Sequence, residues 1–540
     1  MKYLPSGRGL VVLGACLSAL MVVATASAAS PFDTQANNPQ IAGNPTSNTT
    51  AKFPTNKQNE PTIAVNPTNS SLLIAGANDE QKQPPCGPGP VRGLTALTND
   101  CSFFPGVGTS GVYVSSDGGT TWTNKGLLDD QPSWQTSPFV SDGDPVIVYG
   151  PKPNGTGGFS YANGARAYYA SLASYRTGQS PYPPQKAPEL LIVSHSDDNG
   201  STWSAPVVAT VKKNPNDFND KESIWADDNP SSPFFGRVYT SWTEFRSPIC
   251  CPSEPVAVAI STDGGLSFSA PKQLSPAGNN GTGNGRQGSV VRSGPNGSVY
   301  VAWEQDGAQV VAISRDGGDK WSRPITIGAV ADIEDPIPGA NFRTNSYLSL
   351  AADPRVGSST LYAAWVNRTA NGGRVVVSTS TNKGESWGTL VTVSTAAEGY
   401  ALFQGLDVAP NGRVDVGYQA LNTTNTNTFG TGNATIDSWY VSKPASGSWS
   451  APLKVSTASS DPAASSQNNL ALQFWGDYNT LVSSNAKAWF IYTDSRNGVG
   501  CPAVDNYQNN PATVPKPAPQ LACPSSQFGN TDAFVSVITP

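Results

Sequence analysis

Short runs of alternating apolar and polar residues recur along this chain, interrupted every 8 to 12 positions by glycine, proline, asparagine or serine. A period of two turns one edge of a segment to a core and the other to solvent, the pattern of a half-buried β-strand. The aromatic-rich runs 72–79, 236–245, 297–306, 359–368, 412–421 and 487–496 are of this kind, and 165–174 completes the series. Each follows another strand-like run, at 59–67, 143–150, 220–228, 286–293, 345–353, 404–410 and 477–484. No long helical periodicity appears between them. The pattern predicts an all-β fold that uses one strand pair seven times.

A turn signal follows six of these pairs. It reads SSDGGTTW (Ser115 to Trp122), SDDNGSTW (Ser196 to Trp203), STDGGLSF (Ser261 to Phe268), SRDGGDKW (Ser314 to Trp321), STNKGESW (Ser380 to Trp387) and SKPASGSW (Ser442 to Trp449). The final aromatics, at 122, 203, 268, 321, 387 and 449, lie 53 to 81 residues apart, so one unit recurs with loops of variable length. An aspartate caps backbone N–H groups a few residues on, glycine supplies positive φ, and the aromatic buries apolar area between strands. Asp117, Asp198, Asp263 and Asp316 keep the cap; Asn382 replaces it, and Pro444 with Ser446 leaves the last copy degenerate.

These copies resemble the Asp-box, or bacterial neuraminidase repeat, of the sialidase superfamily. The resemblance implies a β-propeller of four-stranded blades, with the box in the turn between the third and fourth strands and a structural rather than catalytic role for its aspartates. Seven inner runs against six boxes favour seven blades over six. The last unit ends in a third strand, 532–540, without a box. A segment near residues 40 to 55, within an extension spanning 30–55, is expected to supply its fourth strand and close the ring, which removes exposed sheet edges. Residues 56–540 then form a single propeller domain.

Residues 1–29 read as a secretory signal. Lys2 and Arg8 precede an apolar stretch from Leu10 to Ala24, and Ala26-Ser27-Ala28 offers small residues for cleavage. No later run is apolar enough to span a membrane. A net charge of −6 with only 13% charged residues speaks against nucleic acid, which needs clustered Lys and Arg. The expected setting is extracellular, the expected form a monomer, and the expected partner a glycan or glycoconjugate. Cys86, Cys101, Cys250, Cys251, Cys501 and Cys523 remain after the signal, an even number that implies disulfides. Sequence proximity favours Cys86–Cys101 and Cys501–Cys523, leaving Cys250 and Cys251 as a vicinal pair. No spacing suggests a zinc site, and no metal or cofactor is expected; structural calcium is not indicated. The single histidine, His195, reads as a strand residue.

In a propeller, inner strands begin and second strands end on the face opposite the boxes. Polar residues crowd those positions: Asn59, Glu60, Asp142, Asp144, Lys221, Glu222, Arg286, Gln287, Arg343, Asn345, Gln404, Asp477 and Tyr478 at the starts, with Asp79, Glu244, Glu304, Asp306, Arg368, Asp494 and Arg496 at the ends. All six cysteines fall in loops on that face. Glycoside hydrolysis needs two carboxyl groups about the scissile bond, or a tyrosine nucleophile as in sialidases. Glu60, Asp144, Glu222 and Asp477 are the candidate acids and bases, and Tyr478 is a candidate nucleophile relieved of its proton by Glu222 or Asp477. Arg286, Arg343, Lys221, Arg496 and Trp475 are candidate substrate-binding groups, the arginines suited to bidentate grip on a carboxylate.

The resemblance covers roughly residues 55 to 540 and includes Asn59-Glu60-Pro61-Thr62, Asp220-Lys221 and Gly476-Asp477-Tyr478. It implies a secreted sialidase-like glycoside hydrolase. Sialidases carry Arg-Ile-Pro early in the first blade; this chain has Asn59-Glu60-Pro61-Thr62 there, with glutamate in the arginine's place. A non-catalytic carbohydrate- or protein-binding propeller is the alternative, with Trp225, Trp475 and Tyr478 as contact aromatics. A polysaccharide lyase using Tyr478 and Lys221 ranks third.

Overall fold

Seven antiparallel sheets of four strands each stand around a common axis in the computed structural model, which describes residues 31–39, 57–82, 107–176, 178–182, 188–210, 217–246, 253–276, 286–423, 434–525 and 527–540. The innermost strands are Gln58–Val65, Phe139–Pro153, Phe218–Ala226, Gln287–Ser293, Ser349–Ala352, Tyr400–Val408 and Thr480–Ser483, taken as blades 1 to 7. All seven coincide with or overlap the runs expected from the sequence. Each pairs with its aromatic-rich successor, as Phe218–Ala226 does with Val238–Phe245. The β-propeller with seven blades is therefore the observed architecture.

Blade 7 is completed from the other end of the chain. Its outermost strand is Phe32–Gln35, paired antiparallel to Asp532–Ile538 with Phe32 opposite Val537 and Gln35 opposite Phe534. The closing strand thus lies upstream of the 40–55 segment, and residues 40–56 lie outside the described residues. Four polar or half-buried residues, Phe-Asp-Thr-Gln, form it, too short a run to stand out by alternation. Among the described residues the helices are short: Pro502–Asn509 and Pro519–Ala522, inside the loop that Cys501–Cys523 staples with a Cα–Cα separation of 5.1 Å. The other four cysteines lie outside the described residues.

Neighbouring blades pack through the second strands. Trp242, Trp303, Trp365 and Trp489 are all at most 1% exposed there. Truncating any such core aromatic to alanine costs on the order of 3–5 kcal/mol, so blade contacts fix the ring.

The recurrent turns behave as the sequence predicts. In the third copy Ser261 Oγ donates to Asp263 Oδ1 at 2.8 Å and accepts from Gly265 N at 2.8 Å. Asp263 Oδ1 also accepts from the backbone of Leu266 and Ser267, each at 3.0 Å. Gly265 holds φ at +85°, where a side chain is strained. Asn382 does the same work in the fifth copy, accepting from Ser386 N at 3.0 Å. These aspartates face solvent on the side opposite the inner-strand starts. Ser261→Ala is expected to cost about 1–2 kcal/mol, since it strands a buried Gly265 N–H, and Asp263→Ala to lower the melting temperature. A melting temperature unchanged in both variants contradicts a structural role for the turn.

Candidate functional site

The inner strands do not run straight to the axis. Pairing slips between Asn59 and Thr62, Gly143 and Val146, Asp220 and Ser223, Gln287 and Val290, and Leu402 and Gly405. A bulge inserts a residue and re-aims its neighbours. Inside these slips Glu60, Asp144, Lys221 and Phe403 hold φ of +53°, +51°, +55° and +48°. A left-handed non-glycine residue costs roughly 1–2 kcal/mol, and such strain concentrates where function demands it. In blade 7 Gly476 takes φ +82°; a Cβ there would lie 2.6 Å from Glu60 Cγ, so glycine is needed for the close approach.

The bulges gather charge at one mouth of the ring. Arg343 grips Asp477 with two bonds of 2.8 Å and reaches Glu60 Oε1 at 3.7 Å. Lys221 Nζ lies 3.6 Å from Asp477 and 3.8 Å from the centre of the Tyr478 ring. Asn78 donates to Glu60 Oε2 at 2.9 Å and accepts from Asp144 N at 2.6 Å, tying blades 1 and 2. Asp477 N donates to Glu60 Oε1 at 3.0 Å, and Asn345 Nδ2 donates to the Asp477 carbonyl at 3.0 Å. Tyr347, its ring 5.6 Å from Lys221 Nζ, donates to Gln287 Oε1.

The two kinds of carboxyl here sit in contrasting environments. Glu60 and Asp144 are close enough for each to bear on the other's ionisation. Burial, then the neighbouring Asp144, push Glu60 up to about 7; burial also raises Asp144. Asp477, by contrast, is clasped by a guanidinium and an ammonium. Burial acts to lower Lys221, but Glu60, Asp477, Asp144 and Asp220 together hold it above the ordinary lysine value.

Other expected residues stand as follows. Glu222 is buried with its carboxyl pushed well above 4.5 by burial and by Asp144. Tyr478 lies inside the cluster, its hydroxyl donating to the Pro145 carbonyl at 3.5 Å. Burial, then Asp144 and Glu60, raise the phenol well above 10. No carboxylate among the described residues accepts its proton, so the expected nucleophile has no base in this arrangement. Arg286 is buried, with its carbonyl accepting from Thr243 Oγ1 at 2.9 Å. Arg496 is a correction: it binds Asp33 and Asp494 at the outer edge of blade 7 and does not face the axis. Trp475 is another, 1% exposed in the core, where it stacks on Phe342 at 5.9 Å and donates to Gln419 Oε1 at 2.9 Å. Glu244 is paired with Arg246, and Asp79 accepts from Tyr113 and Gln58 inside blade 1. His195 is a strand residue opposite Tyr168. Asn78 and Tyr347 were not singled out from the sequence. Tyr347 stands two positions after Asn345, and that spacing was the available signal.

The raised carboxyls make stability depend on pH. A carboxyl with a folded value of about 7, such as Glu60, Asp228 or Asp407, favours the folded state while protonated. That contribution is full below the unfolded value and is lost as pH rises through about 7. The melting temperature is expected to be higher near about pH 5 than near about pH 8; a rise over that interval contradicts the assignment.

No protein-family model and no curated protein matches the chain. Solved structures do. The Hadza microbial sialidase Hz136 is 16% identical at a TM-score of 0.39, with 67% of this chain and 63% of that one covered. This chain therefore spans less than two thirds of that sialidase. A leech intramolecular trans-sialidase, solved with 2,7-anhydro-Neu5Ac, is 13% identical at 0.41, covering 71% and 67%. The α-L-arabinofuranosidase Arb93A from Fusarium graminearum is 12% identical at 0.41, covering 95% and 98%. At these values the likenesses carry nothing about substrate or catalytic residues.

Proposed function

We propose that this protein is a glycoside hydrolase acting on an extracellular glycan at the mouth of the propeller. The observation that carries this reading is the buried Glu60 carboxyl, raised to about 7 by burial and by Asp144, joined through the Asp477 N–H to a second carboxyl, Asp477, that Arg343 and Lys221 clasp. Two carboxyl environments driven apart are what acid catalysis of glycosidic cleavage requires. Glu60 donates its proton to the leaving oxygen as the glycosidic bond breaks, Asp477 faces the positive charge that develops at the anomeric carbon, and water adds there and returns a proton to Glu60. Tyr478 keeps its proton and shapes the site with its ring against Lys221. Arg343 is committed to Asp477, and Glu60 stands where sialidases carry an arginine, which speaks against sialic acid as the substrate.

Secretion is part of the proposal. The leader-like residues 1–29 and the Cys501–Cys523 bond both suit an oxidising compartment. The six SxDGxxW-type turns are read as Asp-boxes, holding the scaffold. Incubating the mature protein with a glycan panel and detecting products by mass spectrometry tests the reading. Turnover of a glycan, lost in Glu60→Gln, supports it; specific glycan binding without any product replaces it with a binding propeller.

A further inference from the structure

Below the mouth the ring encloses an axial cavity of about 360 Å³, bordered by residues of all seven inner strands and within the size range of small-ligand sites. Glu60, Asp144 and Arg343 are not part of its wall. At the far end Pro67, Ser70 and Pro410 border it and are exposed, so the cavity meets solvent there. That is the face of the recurrent turns, since Gly118 N of the first turn donates to the Ser71 carbonyl at 2.9 Å. The rim is tied: Asn229 Nδ2 donates to the Pro354 carbonyl and Ser231 Oγ to the Pro295 carbonyl, each at 2.6 Å. Turns of blades 3, 4 and 5 are thereby held together.

Three charged side chains line this lower half: Asp228, Arg292 and Asp407, from blades 3, 4 and 6. Arg292 lies over the Trp225 ring at 4.5 Å and donates Nη1 to the Val291 carbonyl at 2.8 Å. Asp407 Oδ2 accepts from Ser483 N at 2.8 Å. The three act on one another's ionisation, yet among the described residues no ion pair joins Arg292 to either carboxyl. Charges withdrawn from water and left apart keep their desolvation cost without the full Coulombic return. Whatever lies between them must accept from a guanidinium and donate to carboxylates. A hydroxyl does both, and adjacent hydroxyls on one ring serve neighbouring groups at once. Burial raises both carboxyls to about 7, so near neutral pH the trio carries little net charge and a charged ligand gains little. The rest of the wall mixes hydroxyls, as at Ser349 and Thr480, with the apolar Val290 and Val482, which suits the polar edges and CH faces of a sugar ring.

We propose that the lower end of the axial cavity binds a neutral sugar, with Asp228 and Asp407 accepting from its hydroxyls and Arg292 donating to one. The site goes beyond the hydrolase reading, which rests on the opposite mouth, and it stands whether or not that mouth is catalytic.

Titration calorimetry of the mature protein with glucose, galactose, mannose and xylose tests the site, with glycine as a small zwitterion for contrast. At least one sugar is expected to bind at a single site with a Kd of about 0.1–10 mM, and glycine not at all. A monosaccharide has the mouth to enter as well, so variants locate the heat. Asp228→Asn and Asp407→Asn are each expected to weaken binding by about tenfold, and Arg343→Ala, at the mouth, to bind as the parent does. Should the carboxyl variants not fold, Ser70→Trp on the exposed rim, which crowds the entrance, carries the same expectation. Absence of binding by all the sugars, equal binding of glycine, parent-like affinity in the lower-end variants, or binding lost in Arg343→Ala overturns the proposal.

Discussion

Glu60→Gln is expected to slow glycan turnover by about 10²- to 10⁴-fold, the usual contribution of a positioned general acid, while leaving glycan affinity within about twofold. The substitution removes the titrating carboxyl and replaces the oxygen that accepts from Asn78 Nδ2 at 2.9 Å with an amide nitrogen. Gln keeps an oxygen to accept from Asp477 N, now 3.0 Å from Glu60 Oε1, and it fills the same space beside Gly476. Asp144→Asn is expected to slow turnover as well, because Asp144 is, after burial, what raises the Glu60 carboxyl. In the parent, turnover falls on the alkaline side as Glu60 loses its proton near about 7. In Glu60→Gln that limb disappears. Above about pH 7 Glu60→Gln is also expected to melt no lower than the parent, since no charge is left to bury. Residual activity near the parental level, with the alkaline limb intact, assigns the proton to another group.

What the sequence shows and what it hides divide along physical lines. Inner and second strands were legible because period-two alternation is imposed by a sheet with one face in each blade contact, and the turns because Asp, Gly and an aromatic each do a separate job. The sixth turn, with Pro444 and Ser446, still closes through Ser450 N donating to the Ser442 carbonyl at 2.8 Å, so its blade did not need the cap. The closing strand Phe32–Gln35 was missed in position because it is short and its residues are only half-buried. Convergence of Glu60, Asp144, Lys221, Arg343, Asp477 and Tyr478 followed from topology, since inner-strand starts meet at the axis in any propeller. Finer aim did not follow. Left-handed φ at Glu60, Asp144 and Lys221 has no signature in residue type, since none is glycine. Trp475 and Arg496 sit close in sequence to true mouth residues, yet their side chains point into the core and along the blade edge. Between Trp475 and Asp477 the chain turns at Gly476, with φ +82°, and composition does not record which way the neighbours then point.

Arg496→Met is expected to destabilise the fold by about 3–5 kcal/mol, the cost of stranding a buried charge. Arg496 Nη2 lies 2.8 Å from Asp33 Oδ2 and 2.7 Å from Asp494 Oδ2, and its Nη1 lies 3.1 Å from Asp33 Oδ1. Both acids are nearly inaccessible, with side-chain exposures of 2% and 3%, so neither gains water when the guanidinium goes. Burial acts to raise Asp33, and the Arg496 and Thr457 hydrogen bonds overcome it, leaving that carboxyl below its ordinary value. Asp33 stands on the strand Phe32–Gln35 that the amino-terminal segment gives to blade 7, so the loss falls on the joint that closes the ring. Hydrogen exchange is expected to rise first in Phe32–Gln35 and in its partner Asp532–Ile538, ahead of global unfolding. Arg496→Lys is expected to recover only part of the stability, because an ammonium lacks the planar fork that serves two carboxylates at once. Adding Asp33→Asn to Arg496→Met is expected to restore more, by removing one of the orphaned charges. Unchanged denaturant midpoints and unchanged exchange in Arg496→Met mean instead that backbone pairing of four residues closes the propeller unaided.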